Sequence, residues 1–426
     1  MLLSFRVANH KSINDEQTLH MQPVYDKSRS SLPVAAIFGA NAAGKSNVLD
    51  ALKFMVHAVR DSFSQWAPRD GVPRQPFRLD RGAGAEPSLF AVELLLNDVR
   101  YIYGFSVDRW RVTHEWLHSY PYQRRRVLFE RDGDRVRIGT GDSRQRSRAE
   151  LIETLTPENV LFLDVAGRSG LDEVKAVHQW FSDQVVFASP SSFDIDEAAL
   201  VKEVANGRYS DKLVELVRAA DLGISNMEAV WALKVDGPVL LIDRETVMLG
   251  KPEEFQLSDP LGRSVLSQTE SRLLFRHGSE GAQFLLTDES RGTQIWLCYL
   301  LPVLRCLDGG LLLVIDEIDT SLHSHLTAQL VRLFRDSEIN ERGAQLIFTT
   351  HDATLLGKSF GEEILGRDEV WFVEKNQKQA TELFSLTDFK PRQDDNIQRR
   401  YLTGSYGAIP QPAEPRFGDA VRGRPA

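Results

Sequence analysis

The stretch "GANAAGKSNVLD", residues 39–50, constrains this chain more than any other. Gly39, four residues, then Gly44, Lys45 and Ser46 have the spacing of a phosphate-binding loop. Its glycines let backbone N–H groups turn inward toward phosphate oxygens. Such a loop needs a strand before it and, after it, a helix whose positive end faces the anion. "PVAAIF" is an unbroken apolar run, the pattern of a strand buried on both faces. Val48, Leu52, Met55, Val56, Val59 and Phe63 recur at helical spacing, which predicts a helix from Ser46 to about Phe63. Lys45 then neutralises β/γ-phosphate charge, Ser46 ligates Mg2+, and Gly39, Asn41, Gly44 and Asn47 complete the cradle.

Two more strand ends carry chemistry. "LLLVIDEID" delivers Asp316 to a sheet edge, where it holds the Mg2+ shell, and Glu317 toward the γ-phosphate, where a carboxylate can activate water. "QLIFTTHD" ends an apolar strand on His351, about 35 residues beyond Asp316 with one helix between. A lone histidine at a strand end is usually structural. In this order it reads as a γ-phosphate donor or a reporter of that phosphate. In "ESRGTQIWLCYL", Ser290, Gly292 and Thr293 gather hydroxyls and backbone donors at the start of an apolar helix. A simple helix cap is the alternative reading of Ser290.

Composition narrows the partners. With 51 Lys plus Arg against 60 Asp plus Glu, the net charge of -9 excludes a general polyanion binder. Any nucleic-acid contact needs a local patch, and Arg124, Arg125 and Arg126 in "YQRRR" are the candidates for DNA or RNA. A solvated loop is the other reading of that run. Cys298 and Cys306, eight apart on one helix, cannot pair with each other and read as core residues. No run approaches a membrane span and no signal peptide is apparent, so the expected location is cytoplasmic.

The chain divides, on texture, into residues 1–72 and 281–409 as two parts of one α/β core. Between them lie a β-rich lobe at 73–150, with Asn97-Asp98 as a hairpin turn, and a mainly helical insertion at 151–280. The Pro-, Gly- and Ala-rich tail, 410–426, reads as disordered. No sustained heptads occur, which argues against a long coiled-coil rod.

The order of phosphate loop, "ESRGT", "DEID" and "THD" resembles the ABC-type ATPase heads of the SMC and RecF group, and "LLSFRVANHKSIND" looks like their opening strand and turn. Together with "PVAAIFGANAAGKSNVLDALKFM", "DEIDTSLHSHL" and "RRYLTGSYGAIP", the motifs are similar to RloA-type AAA-family ATPases, OLD-like proteins of prokaryotic restriction and phage-defence loci. The resemblance implies a P-loop NTPase of ABC-ATPase type, with the lobe and insertion between the Walker A and signature motifs. It implies ATP and Mg2+ as cofactors and a homodimer, or a higher oligomer, that sandwiches ATP between Lys45 of one copy and Ser290 of the other. It further implies a switch that senses or gates a separate nuclease or toxin effector in antiviral defence. A RecF-like DNA clamp and a low-turnover scaffold are the alternatives. The signature departs from the transporter pattern at Arg291. Gln75 is a candidate for the glutamine of such heads, or a surface residue, and His323 for a contact across the dimer.

Overall fold

The first two strands pair into an antiparallel sheet rather than into the sheet of the phosphate loop. The computed structural model describes residues 1–66, 70–80, 82–139, 143–188, 196–233, 240–242, 269–278, 281–358, 361–392, 394–410 and 421–422. The tail expectation, 410–426, falls almost wholly outside these residues. In chain order come β1 (Leu2–Ala8), β2 (Gln17–His20), β3 (Val34–Gly39) and α1 (Lys45–Gln65). β4 (Ser88–Leu96), β5 (Val99–Val107), β6 (Val112–Tyr120), β7 (Arg126–Asp132) and β8 (Arg135–Ile138) follow. These five join β1 and β2 in a seven-stranded sheet ordered β2-β1-β4-β5-β6-β7-β8, antiparallel throughout. Asn97 and Asp98 turn β4 into β5 with φ of 50° and 61°, the left-handed pair that matches strand twist in a two-residue hairpin. Residues 1–72 thus contribute to two sheets of one compact unit, β1 and β2 to the antiparallel one and β3 to the one that carries the phosphate loop. The side chains of Phe5 and Val7 are buried on the seven-stranded sheet, to which the pairing of β1 with β2 and β4 assigns them.

α2 (Ser143–Leu155), α3 (Phe162–Arg168), α4 (Asp172–Asp183) and β9 (Val185–Ala188) come next. Phe162, Trp180 and Phe181 are fully buried, with Phe162 against Phe129 and Phe181 edge-on to Tyr103. The lobe sheet, these helices and α1 thus share one core.

The chain forms two compact units. Met1–Phe187, Cys306–Asp319 and Ala328–Ala426 make the first; Ala188–Arg305 and Thr320–Thr327 make the second. In the second unit lie α5 (Glu197–Asn206), α6 (Ser210–Ala219), β10 (Ile224–Leu233), β11 (Leu240–Ile242), β12 (Thr269–His277) and β13 (Ala282–Leu285). The strands form a four-stranded antiparallel sheet, β11-β10-β12-β13. Of the expected helical insertion at 151–280, residues up to Ala219 are mostly helical and 224–277 carries β10 and β12, paired over long range, while 243–268 lie outside the described residues. α7 (Arg291–Gly309) begins here as well, so the signature segment falls with the second unit rather than with residues 306–319.

β14 (Leu312–Ile315), α8 (Ser324–Arg335), β15 (Gln345–Thr350), β16 (Val370–Lys375), β17 (Thr381–Ser385) and α9 (Ile397–Leu402) complete the chain. The first unit's second sheet runs β17-β16-β3-β15-β14-β9. β16, β3, β15 and β14 are mutually parallel, and β3, β14 and β15 are buried along their whole length. β15 lies between the strand of the phosphate loop and the strand of the acidic motif. Among the described residues no helix is long and apolar enough to cross a membrane.

Candidate phosphate-binding site

Parallel strands end on the same side, so β3, β14 and β15 bring residues 39–46, Asp316 with Glu317, and His351 to one sheet edge. Each side chain is then fixed by local contacts. Gly44 has φ of 112°, and a Cβ on it would lie 2.1 Å from Thr381 Oγ1, so the position requires glycine twice over. A Cβ on Gly39 would lie 2.5 Å from the Val373 carbonyl oxygen. Gly44→Ala is expected to abolish nucleotide binding in a chain that still folds, as read by titration with a fluorescent nucleotide. Wild-type affinity in G44A would contradict the assignment.

Lys45 folds back onto its own loop. Its Nζ donates to the Gly39 carbonyl at 2.9 Å and the Ala40 carbonyl at 3.2 Å, and lies 3.4 Å from His351 Nδ1. Burial draws the ammonium pKa below its usual range, while Glu317, Asp316 and Asp319 oppose that shift. Burial also lowers the His351 pKa, and Lys45 adds to the effect, while Asp319, Glu317 and Asp316 oppose it.

Ser46 Oγ donates to Asp316 Oδ1 at 3.1 Å. Two oxygens on one Mg2+ with bonds of about 2.1 Å and octahedral angles stand roughly 3 Å apart. The pair therefore fits adjacent positions on one small hard cation. Mg2+ commonly takes one or two carboxylates from protein and the rest from phosphate and water, which suits this donor set.

Thr349 orders the acidic turn. Its hydroxyl donates to Asp316 Oδ1 at 2.6 Å and accepts the Glu317 N–H at 2.7 Å, while its carbonyl accepts from Ile318 at 3.1 Å. Glu317 is exposed with φ of 52°, a conformation unusual for a residue with a Cβ. Asp319 accepts the His351 backbone N–H through both oxygens, at 3.3 and 3.2 Å. Sequence reading did not assign Thr349 or Asp319 to the site. A hydroxyl inside the otherwise apolar run of "QLIFTT" is the signal that could have found the first.

Asn41 is exposed in the loop, and Asn47 Nδ2 donates to Ser12 Oγ at 2.6 Å. Ser290, Gly292 and Thr293 sit in the second unit. Ser290 Oγ accepts the Thr293 N–H at 3.2 Å and lies 2.9 Å from Thr293 Oγ1, so it caps α7. Gln294 anchors the same turn by donating to the carbonyls of Leu286 and Glu289. A Cβ on Gly292 would lie 2.9 Å from the Ser321 carbonyl oxygen, so the loop after the acidic motif packs on the signature segment. His323 is exposed and stacks on His325 at 5.3 Å.

Gln75 is exposed, and its carbonyl accepts the Lys11 N–H at 2.7 Å. In the arginine run, Arg125 donates to Glu130 at 2.8 Å and Arg126 to Glu173 at 2.5 Å. A phosphate backbone there would have to displace both carboxylates. The two thiols remain free, and burial pushes that of Cys306 up to about 12.

A family model described as "AAA domain, putative AbiEii toxin, Type IV TA system" matches residues 34–357, about three quarters of the chain. No curated protein matches the chain.

Proposed function

The chain belongs to this AAA-domain family, and from that premise we propose that it is an ATP-driven switch of ABC type, whose closed form is a homodimer with ATP between the copies. The observation that carries the reading is the convergence of Lys45, Ser46, Asp316, Glu317 and His351 at one edge of a parallel sheet. AAA-domain proteins typically bind and hydrolyse ATP, and this edge has the groups the reaction needs.

In the proposed cycle Lys45 exchanges the Gly39 and Ala40 carbonyls for the β- and γ-phosphate oxygens. Ser46 and Asp316 would hold Mg2+, which when bound would neutralise phosphate charge. Glu317 takes the proton of the water that attacks the γ-phosphorus, the β–γ bridging P–O bond breaks with ADP as the leaving group, and His351 donates a hydrogen bond toward the γ-phosphate. Ser290 of the partner subunit contributes its capped helix end to the same phosphate, which makes dimer closure depend on ATP. Departure of the γ-phosphate removes that link and reopens the pair. The SMC, RecF and RloA likeness of the motifs supports this two-copy arrangement. The family's toxin–antitoxin description supports a defence role, with a nuclease or toxin partner released or restrained by the switch.

Lys45→Ala tests the reading. Expected is loss of ATP turnover, together with loss of the ATP-dependent rise in molar mass seen by light scattering for the wild type. Turnover at the wild-type rate in K45A would end the proposal. A mass that never responds to ATP would remove the dimer from it.

A further inference from the structure

The phosphate loop is gripped from outside by two hydroxyls that the mechanism above does not use. Thr381, at the start of β17, is buried, with 1% exposure. Its Oγ1 donates to the Ala43 carbonyl at 2.8 Å and accepts from Lys375 Nζ at 3.0 Å. Ser12, in the turn after β1, lies 2.7 Å from the same oxygen. Thr381 has one hydroxyl proton and spends it on Ala43, so Ser12 must be the donor between the two. Ser12 in turn accepts from Asn47 Nδ2 at 2.6 Å. The backbone repeats the link, with the Thr381 N–H donating to the Ser12 carbonyl at 2.7 Å.

The hydrogen bonds therefore run in one direction, from the Asn47 amide to Ser12, then to Thr381, then to the Ala43 carbonyl. Each donor in such a chain polarises the next. It begins and ends on the loop, and it brackets the three residues, Gly44 to Ser46, that include both Lys45 and Ser46. Gly44 lies directly beneath it, since a Cβ there would meet Thr381 Oγ1 at 2.1 Å and Ser12 Oγ at 2.8 Å. The two clamp residues are 369 positions apart, Ser12 in the turn between β1 and β2 and Thr381 at the start of β17.

We propose that Ser12 and Thr381 are positioning residues that preset the phosphate loop in its nucleotide-binding shape. The inference rests on the reading of residues 39–46 as a nucleotide loop. A loop held this way pays little ordering entropy when a ligand arrives, whereas an unclamped one must be ordered by the ligand itself. The clamp touches no reacting atom, so its loss falls on affinity and leaves the chemical step at saturation nearly unchanged.

The test uses the full chain and titration with MgATP and MgADP, with turnover measured alongside. Thr381→Val keeps shape and removes the hydroxyl; it strands the Ala43 carbonyl and deprives Ser12 and Lys375 of their acceptor, and is expected to weaken binding at least about tenfold. Thr381→Ser restores the hydroxyl and is expected to bind within about twofold of wild type, while kcat at saturating ATP stays close to wild type in both. Ser12→Ala breaks the same chain from a less buried position, and S12A with T381V should bind no more weakly than T381V alone. Wild-type affinity in T381V, or T381S as weak as T381V, overturns the clamp. Should T381V fail to fold, wild-type affinity in S12A does so equally. K45A separates the two readings: if it binds as tightly as wild type, the nucleotide site itself is wrong, whereas if it fails to bind and T381V binds normally, the clamp alone is wrong.

Discussion

Glu317→Gln is expected to leave MgATP bound and to lower its turnover by at least about 100-fold, the scale of a lost general base. The substitution is chosen for shape. Glu317 stands at φ of 52° on a turn pinned by Thr349, and glutamine can keep that conformation while losing the basic oxygen. Ground-state binding should survive, because Lys45, Ser46 and Asp316 are untouched. Under the dimer proposal E317Q accumulates as the closed pair in MgATP, since the step that reopens it is blocked. Rapid-quench measurement of phosphate release, paired with light scattering, reads both effects. Release at the wild-type rate would remove Glu317 from catalysis. Retained ATP on a monomer would leave the catalytic role standing and refute the sandwich.

The largest stability effect is expected inside the lobe, at Glu115. This carboxylate is fully buried and accepts from Phe162 N–H at 2.7 Å, Leu163 N–H at 2.9 Å and Tyr103 Oη at 3.0 Å. Burial raises its pKa, and Arg131, 4.0 Å away, opposes that shift along with the three donors. The Arg131 guanidinium is itself buried and donates to the Val160 carbonyl at 2.6 Å. Glu115→Ala strands three donors and leaves Arg131 without its counter-charge, at a cost of about 3–5 kcal/mol. The melting transition should fall by on the order of 10 °C, followed by circular dichroism. Because α3 begins at the two N–H groups Glu115 accepts, the loss should spread to the helices packed on α1. A variant melting within about 2 °C of wild type would show that the site relaxes around the missing carboxylate.

Residues 39–46, Asp316 and His351 were legible because each closes a short apolar strand, and a buried strand of a parallel sheet announces itself locally. The helix after the loop was equally readable from its buried stripe, Val48, Leu52, Met55, Val56 and Val59. What escaped depends on partners far along the chain. β1 alternates the same way whichever sheet it joins, and its register with β4, Phe5 opposite Val92, is written nowhere near either strand. Glu115 sits in "VTHEWLHSY", where a charged residue between histidine and tryptophan looks solvent-facing; the inward phase of β6 and the helix start it caps bury it instead. β10 and β12 are joined by pairing across more than thirty intervening residues, so no local pattern weighed against the helical reading. Ser12 and Thr381 were unremarkable polar residues until folding set them 2.7 Å apart.

The strand order also fixes when, during synthesis, the site can exist. β3 pairs on one side with β15 and on the other with β16, and β16 ends at Lys375. A nascent chain has its lysine and serine by residue 46, yet lacks the acid of β14, the histidine beyond β15 and the hairpin against Gly44 until most of it has left the ribosome. Non-local sheets close late, after the loop entropy between their strands has been spent. An ATP-dependent activity built on this edge is therefore withheld from partial translation products. Copies that stop short of β16 lack the assembled site by topology alone.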